Sequence, residues 1–314
     1  MKNLIRSLII SLNIFLISTN LIASQKIQIL YKIDNTLVTN VDINNELNYL
    51  VSLNTELKSL KKYEINEIAK ESLIRERIKL NEIKKFFLIE KYENDLLINS
   101  ILKNLYTRIN LNDLDEFKIY LRDFNITIDE VKEKLKIEIL WNQLISRKFQ
   151  NQINIDENKI RQKVKDDKMN YKEIIEYDLS EIVLAPQNKQ QFNEKLEKVI
   201  DTINLNGFET AAIKFSISDT SKFGGNIGAV KENQIATNIK KEIQNLEINE
   251  FSKPIYINNN YLIIKVNKKN IIKEEFDENK IVKEMIQLEK DRQYQNFSQI
   301  YYNKIKLNTQ INEF

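Results

Sequence analysis

Glycine is the residue this chain uses most sparingly. Only four occur, at 207, 224, 225 and 228, and three of them fall in one stretch, SDTSKFGGNIG, at 218–228. Glycine supplies positive φ and lets one backbone approach another with no Cβ between them. The cluster therefore reads as a tight turn with a close backbone approach. A phosphate cradle would instead require a strand, a Gly-rich loop, a lysine-hydroxyl pair and a helix N-terminus. Here GGNIG runs into AVKENQ without that pair and follows no clear strand, so no nucleotide is expected.

The rest of the chain divides by hydrophobic period. KIQILYKIDNTLVT reads as two short strands around the turn Asp34-Asn35. A helix is then expected from Asn40 or Asp42, with Ile43, Leu47, Leu50 and Val51 on one face. The next helix, YEINEIAKESLIRERIKLNEIKKFF, buries Ile65, Ile68, Ala69 and Leu73 and places Glu71 and Arg75 four apart on its exposed side. Helices at 94–106 and 113–124 follow, and a fifth starts after the cap Thr127, carrying Val131, Leu135, Ile139 and Leu144 beside the single tryptophan, Trp141. After a polar segment at 154–173 the pattern changes. EYDLSEIVLAP is a strand ending at Pro186, two helices meet at Gly207, NQIATNIKKEIQNLEINEFSKPI holds another helix, and NYLIIKVNKK is a closing strand. The last segment, from about 280, returns to helical spacing and ends in a strand-like tail. A lone amphipathic helix after a finished α+β unit needs a partner for its apolar face. The helical N-terminal part is that partner, which makes a module built from both ends of the chain.

Two absences limit the chemistry. There is no histidine and no cysteine, which removes imidazole bases, His and thiolate metal sites, thiol nucleophiles, disulfides and lipid attachment through cysteine. No metal or cofactor is expected. Lys+Arg 48 against Asp+Glu 45 leaves a net charge of only +3, which gives no electrostatic case for nucleic acid. The first 24 residues, MKNLIRSLIISLNIFLISTNLIAS, have the basic start, short apolar run and small-residue end of a secretory signal peptide. No later segment is long and apolar enough to span a membrane, so no stable membrane insertion is expected once the leader is cleaved, and a periplasmic location suits the chain.

The order of the pieces resembles a known family. From 180 to 266 the chain is similar to parvulin-type (PpiC, rotamase) peptidyl-prolyl isomerase domains, with LSEIVL as first strand, GFETAAIKFS leading into the loop, GGNIG as the glycine motif, and FSKPI then YLIIKV closing the sheet. IDNTLVTNVDINNEL resembles the opening of SurA-type periplasmic chaperones, whose helical run and returning C-terminal helix this chain shares. The resemblance implies an α+β fold: a signal peptide at 1–24, a helical chaperone module at 25–170, a parvulin-like domain at 171–270, and a C-terminal helix and tail at 271–314 packing back on the N-terminal module.

It also implies where the isomerase site should lie, and there the sequence departs. The family's two histidines fall on Glu181 and Leu262, and its Asp or Cys falls on Ser218, with Asp219 adjacent as a polar substitute. Ile239 and Ile243 match apolar positions that line the family's proline pocket, and ordinary helix-to-sheet packing explains them equally well. A leucine cannot replace imidazole in a hydrogen-bonded network, and Glu181 brings a desolvated charge or a different bonding pattern. Two functions follow. One is an ATP-independent chaperone that holds unfolded or nascent outer-membrane proteins, with a degenerate isomerase domain. The other is an active isomerase using Glu181, Ser218 or Asp219 in an altered site.

Overall fold

The computed structural model describes residues 26–92, 94–166, 174–186, 188–257, 259–272 and 276–314. The expected signal peptide lies outside them. The chain opens with a hairpin, β1 (Ile29–Ile33) and β2 (Thr36–Thr39), turned at Asp34, whose φ of 50° is one a short polar side chain tolerates. Thr39 then caps α1 (Asn40–Leu53): its hydroxyl accepts from Asp42 N while Asp42 accepts from Thr39 N at 2.8 Å, a reciprocal capping box. Helices α2 (Lys62–Ile83), α3 (Asp95–Arg108), α4 (Leu114–Arg122) and α5 (Ile128–Phe149) follow, the last opened by the same device between Thr127 and Glu130. Leu50, Leu57, Leu102, Phe117, Leu121 and Val131 join these helices in one core. The polar segment contains one more helix, α6 (Glu157–Asp166), whose single buried side chain, Val164, was too slight a stripe to announce it.

The second half is a four-stranded antiparallel sheet in the order β4-β3-β6-β5, built from β3 (Ile174–Leu184), β4 (Asn226–Lys231), β5 (Ile255–Ile257) and β6 (Asn260–Ile272). Strand β4 begins inside the glycine cluster; its glycines hid it from the hydrophobic pattern. Helices α7 (Lys189–Asn206) and α8 (Phe208–Phe215) cover one face through Val199, Phe208, Ala211 and Ala212, against Ile182, Leu184 and Ile263. The short helix α9 (Thr237–Ile243) covers the other, against Tyr177, Leu179, Ile264 and Val266.

The chain then returns. Helix α10 (Glu278–Asn308) lays Tyr301, Phe297 and Ile305 on α5. Trp141, fully buried, stacks on Tyr301 at 5.9 Å and donates its indole N–H to Ser298 Oγ at 2.8 Å; such an aromatic pair contributes about 0.5–1.5 kcal/mol beyond its buried area. The tail, β7 (Ile311–Glu313), pairs with β1, so both ends of the described chain share one small sheet, β2-β1-β7. The α+β class, with a helical part completed by the C-terminal helix, is the one the sequence implied. Arg75, by contrast, does not stay on an exposed face beside Glu71: it is half-buried and donates to Ser221 Oγ at 3.1 Å.

Candidate functional site

Strand β4 pairs with β3 only as far as Ser180. The outer edge of Glu181–Val183 would therefore carry unpaired backbone groups, which a folded chain does not leave buried. The loop after α8 satisfies them. Glu181 N donates to Gly225 O at 2.8 Å, Ile217 N to Val183 O at 2.9 Å, and Val183 N to Ser216 Oγ at 3.0 Å. This docking explains Gly225 and its neighbour Gly224. A Cβ on Gly225 would lie 2.1 Å from the Glu181 carbonyl oxygen, and its φ is +77°. Gly224, at φ +67°, ends the 3-10 turn Asp219–Phe223 that precedes it.

Held this way, the loop presents hydroxyls to Glu181. Its Oε1 accepts from Ser218 Oγ at 2.6 Å and from Thr220 Oγ1 at 3.0 Å, and the two hydroxyls are themselves 3.0 Å apart. Burial pushes the Glu181 carboxyl above the ordinary carboxylate range; the two hydrogen bonds hold it down in part, and the nearby charge of Asp219 adds to the rise. Oε2 makes no hydrogen bond among the described residues. A carboxyl with one oxygen fixed and one open can accept a hydrogen bond when ionised and donate one when protonated.

On the neighbouring strand Ile264 stands opposite Glu181, and Leu262 opposite Val183. Leu262 and Glu181 are thus diagonal neighbours on the face that α9 covers. Leu262 and Ile239 are half-buried there, whereas Ile243 is completely buried in the core under α9. Of the two isoleucines matched to a proline pocket, only Ile239 retains surface that a ligand could touch.

Asp219 turns the other way. Its carboxylate pairs with Lys79 Nζ of α2 at 2.8 Å and accepts from Ser298 Oγ of α10 at 3.4 Å, placing it in the contact between sheet and helices. The structure therefore brings Glu181 and Ser218 together with Leu262 beside them and leaves Asp219 outside the group. Thr220 is the member sequence reasoning missed. Its signal was the alternation Ser216, Ser218, Thr220, three hydroxyls at every second position.

Residues 181–268 match the family of PPIC-type PPIase, or rotamase, domains. Curated relatives include Chaperone SurA of Pseudomonas putida, 24% identical over 207 residues, covering 62% of this chain and 48% of that protein. Periplasmic chaperone PpiD of Buchnera aphidicola is 31% identical over 241 residues, covering 72% of this chain and 36% of that one. The chain thus spans about half, or less, of the length of the curated relatives it matches. Among solved structures, a SurA-like chaperone of Campylobacter jejuni aligns over 91% of this chain and 98% of its own at 16% identity, with a TM-score of 0.34.

Residues 181–268, which take in most of the four-stranded sheet and its glycine-closed loop, are the part of the chain that matches a parvulin-type domain. Together with the helical parts on either side of it, this domain makes the chain similar to the SurA and PpiD chaperones over part of their length.

Proposed function

We propose that this protein is a periplasmic, ATP-independent chaperone that holds unfolded outer-membrane protein precursors, and that its parvulin-type domain binds prolyl segments without efficient isomerisation. The observation that carries the reading is the site itself. Where the family resemblance expects two imidazoles there is a carboxyl fixed by Ser218 and Thr220, and a leucine. The uncatalysed barrier to rotation about a peptide bond is about 18–20 kcal/mol, and a leucine offers nothing to a twisting amide. The holding role is supported by the names of the SurA and PpiD relatives and by apolar side chains left in solvent on the helical part: Tyr63, Phe86, Leu88, Leu96 and Ile119 are each about half or more exposed. Unfolded β-barrel precursors, with unpaired strands and apolar residues, are the clients such surfaces suit. Export would follow from the signal peptide at 1–24.

The test uses the mature protein in two assays. Aggregation of an unfolded barrel protein should fall in proportion to added protein whether or not the client contains proline, and the cis-to-trans exchange of a short Ala-Pro peptide, followed by NMR, should stay at its uncatalysed rate. Loss of suppression with proline-free clients would overturn the holdase reading. The second reading, an active isomerase with an altered site, is favoured by the open Oε2 of Glu181 and its raised pKa; acceleration abolished by Glu181→Ala would establish it.

A further inference from the structure

One five-residue turn serves two parts of the molecule. Within Asp219–Phe223 and the serine before it, Ser218 and Thr220 face the sheet and hydrogen-bond Glu181. The residues between and after them face the helices. Asp219 pairs with Lys79 of α2 at 2.8 Å, Ser221 accepts from Arg75 of α2 at 3.1 Å, and Lys222 pairs with Glu138 of α5 at 2.6 Å. Lys79 closes the circuit by bonding Glu138 as well, at 2.8 Å. Lys222 is no surface lysine: its side chain is 9% exposed, and that of Lys79 is 2% exposed. A lysine buried to this degree must be paired, so it fixes the backbone that carries it.

We infer that Lys222 is a positioning residue for the prolyl pocket: its insertion beside Glu138 holds the 218–223 turn in the conformation that presents Ser218 and Thr220 to Glu181, so the pocket is complete only while the domain is docked on the helices. This rests on the reading of the Glu181 face as a prolyl-binding pocket. The geometry leaves the turn little freedom to satisfy one side without the other. Its residues are divided between the two, and Gly225 anchors its end against Glu181. Release of Lys222 frees the turn to move, and both hydroxyls move with it.

The test compares the full chain with Lys222→Met, Lys222→Arg and Lys214→Ala. The last removes a separate ion pair between α8 and α2, Lys214 with Glu64 at 2.8 Å, outside the turn. Amide hydrogen exchange over 216–225 and the Kd of an Ala-Pro peptide, by NMR titration, are the readouts. Lys222→Met is expected to speed exchange in the turn and weaken peptide binding, each by about tenfold, Lys222→Arg to restore most of both, and Lys214→Ala to leave both unchanged. Unchanged exchange and affinity in Lys222→Met overturn the inference, as does an equal effect from Lys214→Ala, which would assign the coupling to docking in general. Should Lys222→Met fail to fold, Asp219→Asn, at the more exposed end of the turn, takes its place with the same expectations. A native chain that binds no Ala-Pro peptide refutes the pocket reading, and the positioning role is then decided by exchange alone.

Discussion

Lys222 reaches across from the turn Asp219–Phe223 to Glu138, a residue 84 positions away on α5, and bonds it at 2.6 Å. Burial works against both charges. Yet Glu138 lies well below the ordinary carboxylate range because Lys222 and Lys79 outweigh its desolvation, and Lys222 lies well above the ordinary lysine value because Glu138, Glu76 and Glu46 surround it. Removing either partner strands the other. Lys222→Ala is expected to cost about 3–5 kcal/mol, the usual penalty for breaking a buried pair from one side. Urea unfolding of the whole chain measures it. A loss within the range of a surface pair would show that water reaches Glu138.

Gly225 and Gly228 make opposite predictions although both have positive φ. A Cβ at 225 meets the Glu181 carbonyl oxygen at 2.1 Å, and one at 228 meets nothing within 4 Å. Gly228→Ala should therefore cost only the strain of a left-handed residue, about 1–2 kcal/mol. Gly225→Ala must also part the loop from β3, and should cost about 4 kcal/mol or more. Paired denaturation curves check the difference.

The raised pKa of Glu181 gives a pH dependence with a definite sign. The folded state holds its proton more tightly than the unfolded chain, so its contribution to stability is intact below about 4.5 and is lost as pH rises through the higher folded value. Glu181→Gln, which keeps an acceptor for Ser218 and Thr220, should match the native protein at acid pH and exceed it at pH 7. Glu46 behaves oppositely. Burial would raise it, but Lys134 and Lys222 hold it below 4.5, so the stability it contributes is present above that value and is lost as pH falls through the depressed one. Stability measured from pH 3 to 8 for both proteins separates the two limbs.

Tyr301 ties α10 to the helices of the N-terminal half. Its ring stacks on Trp141 and its hydroxyl donates to Glu82. Tyr301→Ala is expected to destabilise the helical part by about 3–5 kcal/mol and to shift Trp141 emission to the red as water reaches the indole. Removal of residues 278–314 should make 26–166 sensitive to protease, since Trp141, Leu144 and Ile145 would lose their cover.

Much of this molecule was legible in one dimension because local physics writes it there. Thr127 announced a helix start as a cap, the apolar stripes of α1, α2 and α5 gave their buried faces, and the return to helical spacing after the last strand required a partner that α5 supplies. Even the glycine cluster gave its own reason, a close backbone approach, without saying to what. The tertiary structure alone decided that Gly225 meets Glu181, that Asp219 turns away from Glu181 to Lys79, that Ile243 is sealed in the core, and that Lys222 is buried beside Glu138. Each of these joins residues far apart in the chain. Hydrophobic periodicity reports which face of an element is covered, but a charge looks the same in sequence whether water or a distant carboxylate receives it, and only the packing of sheet on helices makes that choice.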